Sequence, residues 1–195
     1  MDLKFYRVRN LSYFVVDGFF TEQELVEVVK EIEELKRFSE RPKNTYAAKK
    51  DGVELKTGTG VFLDILYEDN RDASAILKGN RKLFSEEIFC PAEEFDSIFG
   101  FLKSSNKDAT LLNYYTEGQE YKAHQDSSRV SAVTFLKQGS ITGGEFCFPE
   151  QNVVIEAKHN RTVVFPSCVT HQAMPVQGAG TRVSIAQFVN WVDHK

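Results

Sequence analysis

The strongest constraint on the fold is a series of short runs of β-branched and aromatic residues that fills the chain from Thr110 onward. Each run has the length of a β-strand, and stretches rich in Gly, Asn, Gln and Thr, which favour turns, separate the runs. The seven runs are TLLNYY, VSAVTFLK, GEFCFP, NVVIEA, TVVFPS, HQAMPV and RVSIAQFVNWV. Short strands at this spacing predict a closed or two-sheet β architecture: a sandwich, a barrel or a jelly roll.

The N-terminal part of the chain has a different pattern. YFVVDGFF indicates a strand followed by a turn, and Thr21 with Glu24 forms a capping-box pattern ahead of an apolar stripe at helical spacing. A chain of 195 residues is long enough for one domain with a substantial core. We therefore predict a single α+β, mainly β domain over residues 1–195, with supporting helices in about residues 1–108 and a β core in about residues 109–192.

A polar segment from about Ser39 to Gly60 is long for a connection. Connections of this length are either linkers or functional lids. Residues 41–57 contain five basic and two acidic residues, so the segment is locally basic in a chain whose net charge is −4. The sequence leaves both interpretations open: a solvated, partly disordered connection, or a lid that closes over a peptide.

Composition argues against several classes of partner and compartment. The net charge of −4 argues against a nucleic-acid-binding protein, which usually has a basic face. No run approaches the about 20 apolar residues of a membrane span, and the N-terminus has no apolar core of signal-peptide type, so no membrane partner is expected. Cys90, Cys147 and Cys168 do not suggest a disulfide framework or a zinc ribbon, and we expect Cys168 to be an ordinary core thiol. A reducing, cytoplasmic setting is the simplest interpretation.

The stretch YKAHQDSSR places His124 and Asp126 two residues apart, so in a strand their side chains point to the same face. Among the four histidines, His171 is distinctive because it directly follows the run TVVFPS and would lie opposite His124 in an antiparallel architecture. His159 falls in a turn, and His194 is next to the C-terminus. Two imidazoles and one carboxylate that leave other coordination positions open are typical of non-heme Fe(II) oxygenases.

Arg182 and Ser184 lie on one face of the last predicted strand by the same alternation. An arginine on a buried strand needs an anion, because unpaired charges are rarely buried. A guanidinium group suits a carboxylate held through two hydrogen bonds. A salt bridge to a glutamate is the alternative, but beside the His-x-Asp…His pattern we interpret Arg182 as the binding residue for a carboxylate ligand.

These segments together resemble the 2-oxoglutarate- and Fe(II)-dependent dioxygenases, and most closely their prolyl 4-hydroxylase-like branch. The resemblance is carried by YTEGQEYKAHQD, VSAVTFLKQGSITGGEFCFP, TVVFPSCVTHQAMPV and GTRVSIAQFV, and by the opening YFVVDGFFTEQEL. It implies a double-stranded β-helix, a jelly-roll variant, with His124, Asp126 and His171 as ligands of Fe(II). It also implies 2-oxoglutarate and O2 as co-substrates, and ascorbate as the reductant that keeps the iron ferrous.

The resemblance further assigns the co-substrate pocket. Arg182 would bind the distal carboxylate of 2-oxoglutarate, with Ser184 as a second donor. Tyr115 matches the family's tyrosine that hydrogen-bonds the co-substrate, whereas Tyr114 faces the opposite way. The implied activity is hydroxylation of an unactivated C–H bond, with a peptidyl proline as the inherited substrate.

Three alternatives stay open from the sequence. The first is hydroxylation of a small molecule or a free amino acid, since the motifs are less specific for substrate than for family. This chain also departs from the collagen-type enzymes, which have lysine at the position of Arg182. The second is a zinc site for hydrolysis, which would leave Arg182 and Tyr115 unexplained. The third is a non-catalytic metal-binding jelly roll, in which the loss of a ligand would be expected; none of the ligand residues is missing.

Overall fold

The computed structural model describes residues 1–105 and 107–190, which form mainly antiparallel β-strands. The strands are β1 (Asp2–Val8), β2 (Leu11–Asp17), β3 (Lys49–Lys50), β4 (Val53–Glu54), β5 (Thr59–Phe62), β6 (Lys107–Tyr115), β7 (Tyr121–His124), β8 (Val130–Gly139), β9 (Thr142–Gly143), β10 (Phe146–Phe148), β11 (Val153–Ile155), β12 (Arg161–Pro166), β13 (His171–Ala173), β14 (Val176–Gln177) and β15 (Gly180–Asn190). The helices are α1 (Glu22–Leu35), α2 (Leu63–Leu66), α3 (Ala75–Asn80), α4 (Glu86–Phe95) and α5 (Phe101–Ser104). Positions 191 and 192 of the predicted core, and His194, lie outside the described residues.

Two antiparallel sheets form the jelly roll that the sequence predicts. The large sheet has the strand order β1-β2-β12-β8-β15-β6-β5, and the small one has the order β11-β10-β13-β7. Neighbouring strands in this order are far apart in sequence, as in β8 beside β15. An apolar cluster that includes Tyr13, Phe135 and Phe165 of the large sheet and Phe146 and Phe148 of the small sheet joins the two.

The alternation along each strand of the large sheet sends its side chains into two different environments. On β15, Val183 and Ile185 belong to the apolar cluster beneath the helices, whereas Arg182 and Ser184 line a pocket between the sheets. On β6, Tyr114 packs on the helical side, and its hydroxyl donates to the carbonyl of Ile32 at 2.7 Å. The predicted opposite orientations of neighbouring residues on these strands are thereby confirmed.

The helices cover the outer face of the large sheet. Helix α1 begins at the predicted capping box, in which the Thr21 side chain accepts from the Glu24 N–H and the Glu24 carboxylate accepts from the Thr21 N–H. Its residues Val28, Ile32 and Leu35 are buried in the apolar cluster on that face. None of the described helices is long and apolar enough to cross a membrane.

The N-terminal part contains more strand than the predicted supporting helices. Strands β1 and β2 form a hairpin at one edge of the large sheet, with Phe5 opposite Phe14, and β5 forms the other edge. The segment LKFYRV of β1 alternates between half-buried and exposed residues, a weak pattern that becomes a strand through pairing with β2. The predicted helices therefore rest on a sheet to which this part of the chain itself contributes.

The polar segment from Ser39 to Gly60 is folded against the rest of the protein. It contains a 3-10 turn (Pro42–Thr45), the small hairpin β3–β4 and the start of β5. Thr45 and Lys56 within it are buried, with relative exposures of 3% and 2%. Of the two interpretations left open by the sequence, a disordered connection is therefore not what the structure describes.

Candidate active site

The ligand residues predicted from the sequence converge at one end of the small sheet. His124 ends β7 and His171 begins β13, and the register of these two strands places the histidines directly opposite each other. One nitrogen of each histidine and one carboxylate oxygen of Asp126 all lie within 4.8 Å of one another. The Nε2 atoms of His124 and His171 are 3.8 Å and 3.5 Å from the Asp126 oxygens. The predicted juxtaposition is confirmed.

Asp126 reaches this cluster in a different way from the predicted strand alternation. It lies two residues beyond the end of β7, so no ladder hydrogen bond fixes its backbone. Its N–H donates instead to the carbonyl of Ser167 at 3.0 Å, and the Ser131 hydroxyl donates to its Oδ2 at 2.6 Å. The Ser167 hydroxyl is itself 2.8 Å from that of Ser131, so a small polar network orients the carboxylate.

Both histidines are prepared for a metal through their Nδ1 atoms. Nδ1 of His124 is 2.8 Å from the carbonyl of Lys122, and Nδ1 of His171 is 2.9 Å from that of Val169. A carbonyl only accepts, so Nδ1 carries the proton and the Nε2 lone pair points at Asp126. The pKa of each imidazole is lowered to about 4, by burial in both cases and for His124 also by the neighbouring His171. Both rings are therefore neutral at pH 7, which is the ligating form.

The guanidinium of Arg182 lies in the same pocket and lacks an anion. The residue is 1% exposed, and its Nη1 donates to the carbonyl of Gly144 at 2.7 Å. Its Nε and Nη2 atoms are buried without a hydrogen-bond partner in the described part of the chain. Within the same described residues, no carboxylate lies within ion-pairing distance, so the glutamate alternative is not supported. A charged fork with two free donors fits a carboxylate.

Two neighbours shape the surroundings of this guanidinium. The Tyr115 ring lies beneath it, with 4.2 Å between the Arg182 Cζ and the ring centroid. Gly144, whose φ is +68°, provides the space for the side chain, because a Cβ there would lie 3.2 Å from the Arg182 Cδ. Burial raises the pKa of the Tyr115 phenol well above its usual value, even though Arg182 acts to lower it. Tyr115 is therefore a neutral O–H donor inside the pocket.

One pocket contains the metal cluster and the guanidinium together. Its polar lining is Asn113, Tyr115, Tyr121, His124, Asp126, His171, Arg182 and Ser184, and its apolar lining is Leu111, Val133, Phe135, Phe146, Ala173, Ala186 and Phe188. All six residues that the sequence marks as metal- or co-substrate-binding are among them. Apolar walls exclude water and strengthen electrostatic contacts made inside.

The sequence did not mark Tyr121, although it lies in the stretch YKAHQDSSR that contains His124. Its ring stacks on His124, with 3.5 Å between ring centroids and 14° between ring planes. Its hydroxyl oxygen accepts from the N–H of Ala48 at 2.8 Å, which ties the Ser39–Gly60 segment to the metal cluster. A tyrosine three residues before a ligand histidine, on the same four-residue strand, is the available sequence signal.

His159 and Cys168 both lie on the surface of the protein. His159 is exposed and its Nδ1 accepts from the N–H of Lys137 at 3.0 Å, so it is not part of the cluster. Cys168 is exposed, and the prediction of a core thiol is wrong. The reason is that Cys168 falls in the turn between β12 and β13, where neither sheet covers it.

Lys56 is the unexpected member of this region. Its Nζ donates to the Thr45 hydroxyl at 2.7 Å and to Oδ1 of Asn113 at 2.9 Å, and the residue is 2% exposed. Asn113 in turn lines the pocket of Arg182. Burial lowers the pKa of the Lys56 amine to about 8, because both of its acceptors are neutral.

This depressed pKa predicts a pH-dependent stability. The folded-state pKa of about 8 lies below the ordinary value of 10.5, so between these values the unfolded chain binds more protons and stability rises with pH. Relative to Lys56→Met, the free energy of unfolding of the wild-type chain should rise by about 3 kcal/mol across that window. Urea denaturation at a series of pH values measures it. The exposed Lys50→Met is the control, and parallel pH profiles for wild type and Lys56→Met would contradict the prediction.

Comparisons with known proteins agree with this geometry. Residues 109–190 match the family model described as the 2OG-Fe(II) oxygenase superfamily. No curated protein is similar enough in sequence to count as a match.

Solved structures resemble the fold over nearly the whole chain. A prolyl-4-hydroxylase from Pseudomonas putida has a TM-score of 0.66 and 16% identity, covering 94% of this chain and 95% of its own. A prolyl hydroxylase from Trichoplax adhaerens, in complex with a hypoxia inducible factor oxygen degradation domain peptide fragment, has a TM-score of 0.64 and 15% identity, covering 91% and 83%. The viral collagen prolyl hydroxylase of Paramecium Bursaria Chlorella virus-1, in its 2OG complex, has a TM-score of 0.56 and 16% identity, covering 92% and 96%. At these identities the likeness establishes the jelly-roll fold.

Proposed function

We propose that the chain is a member of the 2OG-Fe(II) oxygenase superfamily, whose family model matches residues 109–190, and that it is a prolyl 4-hydroxylase-like dioxygenase that hydroxylates an unactivated C–H bond. One observation carries the proposal. A cluster of two neutral imidazoles and a carboxylate shares a buried pocket with a guanidinium whose Nε and Nη2 lack partners among the described residues.

The donor set fits Fe(II). His124 and His171 would bind through Nε2 and Asp126 through a carboxylate oxygen, on one side of the ion, as in the two-histidine, one-carboxylate sites of oxygenases. Burial raises the pKa of the Asp126 carboxyl above its usual value, because it disfavours the charged form. A bound cation would offset this cost of burying the carboxylate. When bound, the iron would supply the activation of O2 that is coupled to the oxidative decarboxylation of 2-oxoglutarate.

The remaining polar residues fit 2-oxoglutarate. Arg182 would bind its distal carboxylate through the free Nε and Nη2 donors, with the Tyr115 and Ser184 hydroxyls as further donors in the same pocket. Phe135 and Phe146 would exclude water from the co-substrate. The hydrogen bonds on the two Nδ1 atoms keep the ligand rings in one orientation while the site is loaded.

A peptidyl proline is the substrate we propose, on the ground that the solved structures with this fold include prolyl hydroxylases, one of which holds a peptide. Ascorbate as reductant and a reducing, cytoplasmic setting belong to the same proposal, because ferrous iron needs a reductant and Cys90, Cys147 and Cys168 are free thiols. A small molecule or free amino acid is the alternative substrate.

A zinc hydrolase and a non-catalytic jelly roll both fit this site less well. A zinc hydrolase would use the metal cluster but would have no need for the unpartnered Arg182 guanidinium in the same pocket. A non-catalytic module is not expected to keep all three ligand residues within 4.8 Å of one another.

A substrate screen tests the proposed reaction. The protein is incubated with Fe(II), 2-oxoglutarate and ascorbate, and proline-containing peptides are compared with free amino acids. We expect a gain of about 16 Da, one oxygen atom, in a proline-containing peptide, together with stoichiometric succinate. Oxidation of free amino acids or metabolites alone would replace the peptidyl substrate, and succinate formation that needs no iron would contradict the reaction class.

A further inference from the structure

We propose that Lys56 recognises the primary substrate by binding a carboxylate that this substrate carries. The proposal rests on the proposed function and specifies the chemistry of its substrate. Lys56 would form a second anion-binding site, separate from the site for Fe(II) and 2-oxoglutarate.

Lys56 lines a cleft that opens beside the metal cluster. The cleft has a volume of about 390 Å³, and Tyr121 and Asp126 line both this cleft and the pocket of Arg182. A molecule in the cleft would therefore lie next to a metal ligand. Thr45, Tyr46 and Phe62 also line the cleft.

The charge of Lys56 is not compensated within the protein. Its ammonium has three N–H donors, and the Thr45 hydroxyl and the Asn113 amide oxygen accept two of them. Among the residues that the structure describes, no carboxylate lies within ion-pairing distance of Nζ. The exposed Lys49 of the same segment, by contrast, pairs with Glu54 at 3.4 Å. A buried ammonium bound only to neutral acceptors is costly, and an anion in the cleft would offset that cost.

A second donor faces the same cleft. Tyr121 is the bridge partner of Lys56 in a short antiparallel contact, so the two side chains lie on the same face. The Tyr121 oxygen accepts the Ala48 N–H, and within the described part of the chain its own proton has no hydrogen-bond acceptor. An ammonium and a hydroxyl side by side suit the two oxygens of a carboxylate.

The carboxylate that we propose for Lys56 is not that of the co-substrate 2-oxoglutarate. Asn113 links the surroundings of the Lys56 ammonium and the Arg182 guanidinium. Its Oδ1 accepts from Lys56, and the residue also lines the pocket of Arg182. Arg182 has its own two free donors for the distal carboxylate of 2-oxoglutarate. The carboxylate at Lys56 would therefore belong to the substrate, either on the oxidised residue itself or on an acidic side chain next to it in a peptide.

Matched pairs of compounds test this chemistry. N-acetyl-L-proline is compared with N-acetyl-L-prolinamide, and an end-blocked peptide with glutamate beside proline is compared with its glutamine counterpart. Both pairs of compounds are offered to the wild-type enzyme with saturating Fe(II) and 2-oxoglutarate. We expect kcat/KM to be about 10- to 100-fold higher for the carboxylate member of one pair, the size of a hydrogen bond to a charged group. The pair that shows the preference identifies the source of the carboxylate.

Variants connect the preference to this residue. In Lys56→Met the preference for the carboxylate member of the pair should disappear. Lys56→Arg keeps the charge and should retain part of the preference, and Lys50→Met, an exposed lysine of the same segment, should retain all of it. A preference that persists in Lys56→Met would overturn the proposal.

A binding measurement separates this proposal from the proposed function. The melting temperature of the protein with Zn²⁺ and 2-oxoglutarate is recorded with each member of the two pairs, so no turnover is needed. We expect stabilisation by a carboxylate member in the wild type and in Lys50→Met but not in Lys56→Met. Equal shifts by carboxylate and amide members would overturn the proposal even in an enzyme that is active, whereas a carboxylate-specific shift supports it even where no turnover occurs.

Discussion

Replacement of His124 or His171 by alanine will abolish Fe(II)-dependent turnover of 2-oxoglutarate while the fold survives. Each histidine provides one of three ligand atoms, and its Nδ1–H bond to a carbonyl fixes it in the ligating orientation. Loss of an outer-shell partner alone costs about 10- to 100-fold in metal affinity or activity, so loss of a ligand should cost more than about 100-fold. Succinate formation and circular dichroism measure the two parts of the prediction.

His159→Ala is the matched control for these variants. His159 is an exposed histidine on a turn, away from the cluster, and its replacement should leave turnover close to the wild-type rate. Full activity in His124→Ala or His171→Ala with an unchanged dichroism spectrum would refute the assignment of the metal ligands.

Arg182→Ala will raise the KM for 2-oxoglutarate strongly. The variant removes a charge-assisted contact in a buried pocket, where truncation of one partner of such a pair costs about 2–5 kcal/mol, or about 30- to 5000-fold in affinity. Arg182→Lys should recover only part of the loss, because one ammonium cannot reproduce two parallel hydrogen bonds. Steady-state kinetics with varied 2-oxoglutarate measure the effect.

The selectivity of this effect is as informative as its size. Metal binding by Arg182→Ala should stay near the wild-type level, because among the described residues Arg182 hydrogen-bonds to backbone carbonyls and not to His124, Asp126 or His171. An unchanged KM for 2-oxoglutarate would show that the buried guanidinium serves only to hold the carbonyl of Gly144.

The sequence predicts the β core well because its alternation is strong. Along β15 the apolar Val183 and Ile185 and the polar Arg182 and Ser184 fall on opposite faces, as the period of two requires. Strand β1 escapes prediction because its sequence alternates weakly and it becomes a strand only through a partner strand. Helix α4 runs from Glu86 to Phe95 with Pro91 in its interior, so the usual preference of proline for the first position of a helix does not mark its start.

Some features of the candidate site are likewise predictable from local sequence, and others are not. His124, His171 and Arg182 follow from local patterns of strands, and the structure brings them together. The position of Asp126 depends on Ser167, and the burial of Lys56 depends on Asn113, both of which are distant in sequence. Local patterns cannot reveal such contacts, because they exist only after the sheets have packed.

An anaerobic titration of the protein with Fe(II) and 2-oxoglutarate, followed by visible absorption, tests the central claim most directly. Ferrous iron held by His124, Asp126 and His171 together with bound 2-oxoglutarate would give a weak metal-to-ligand charge-transfer band. We predict that this band forms only when both components are present, that it is lost in His171→Ala, and that it needs far more 2-oxoglutarate in Arg182→Ala. A wild-type protein that binds Fe(II) but develops no band at saturating 2-oxoglutarate would contradict the account.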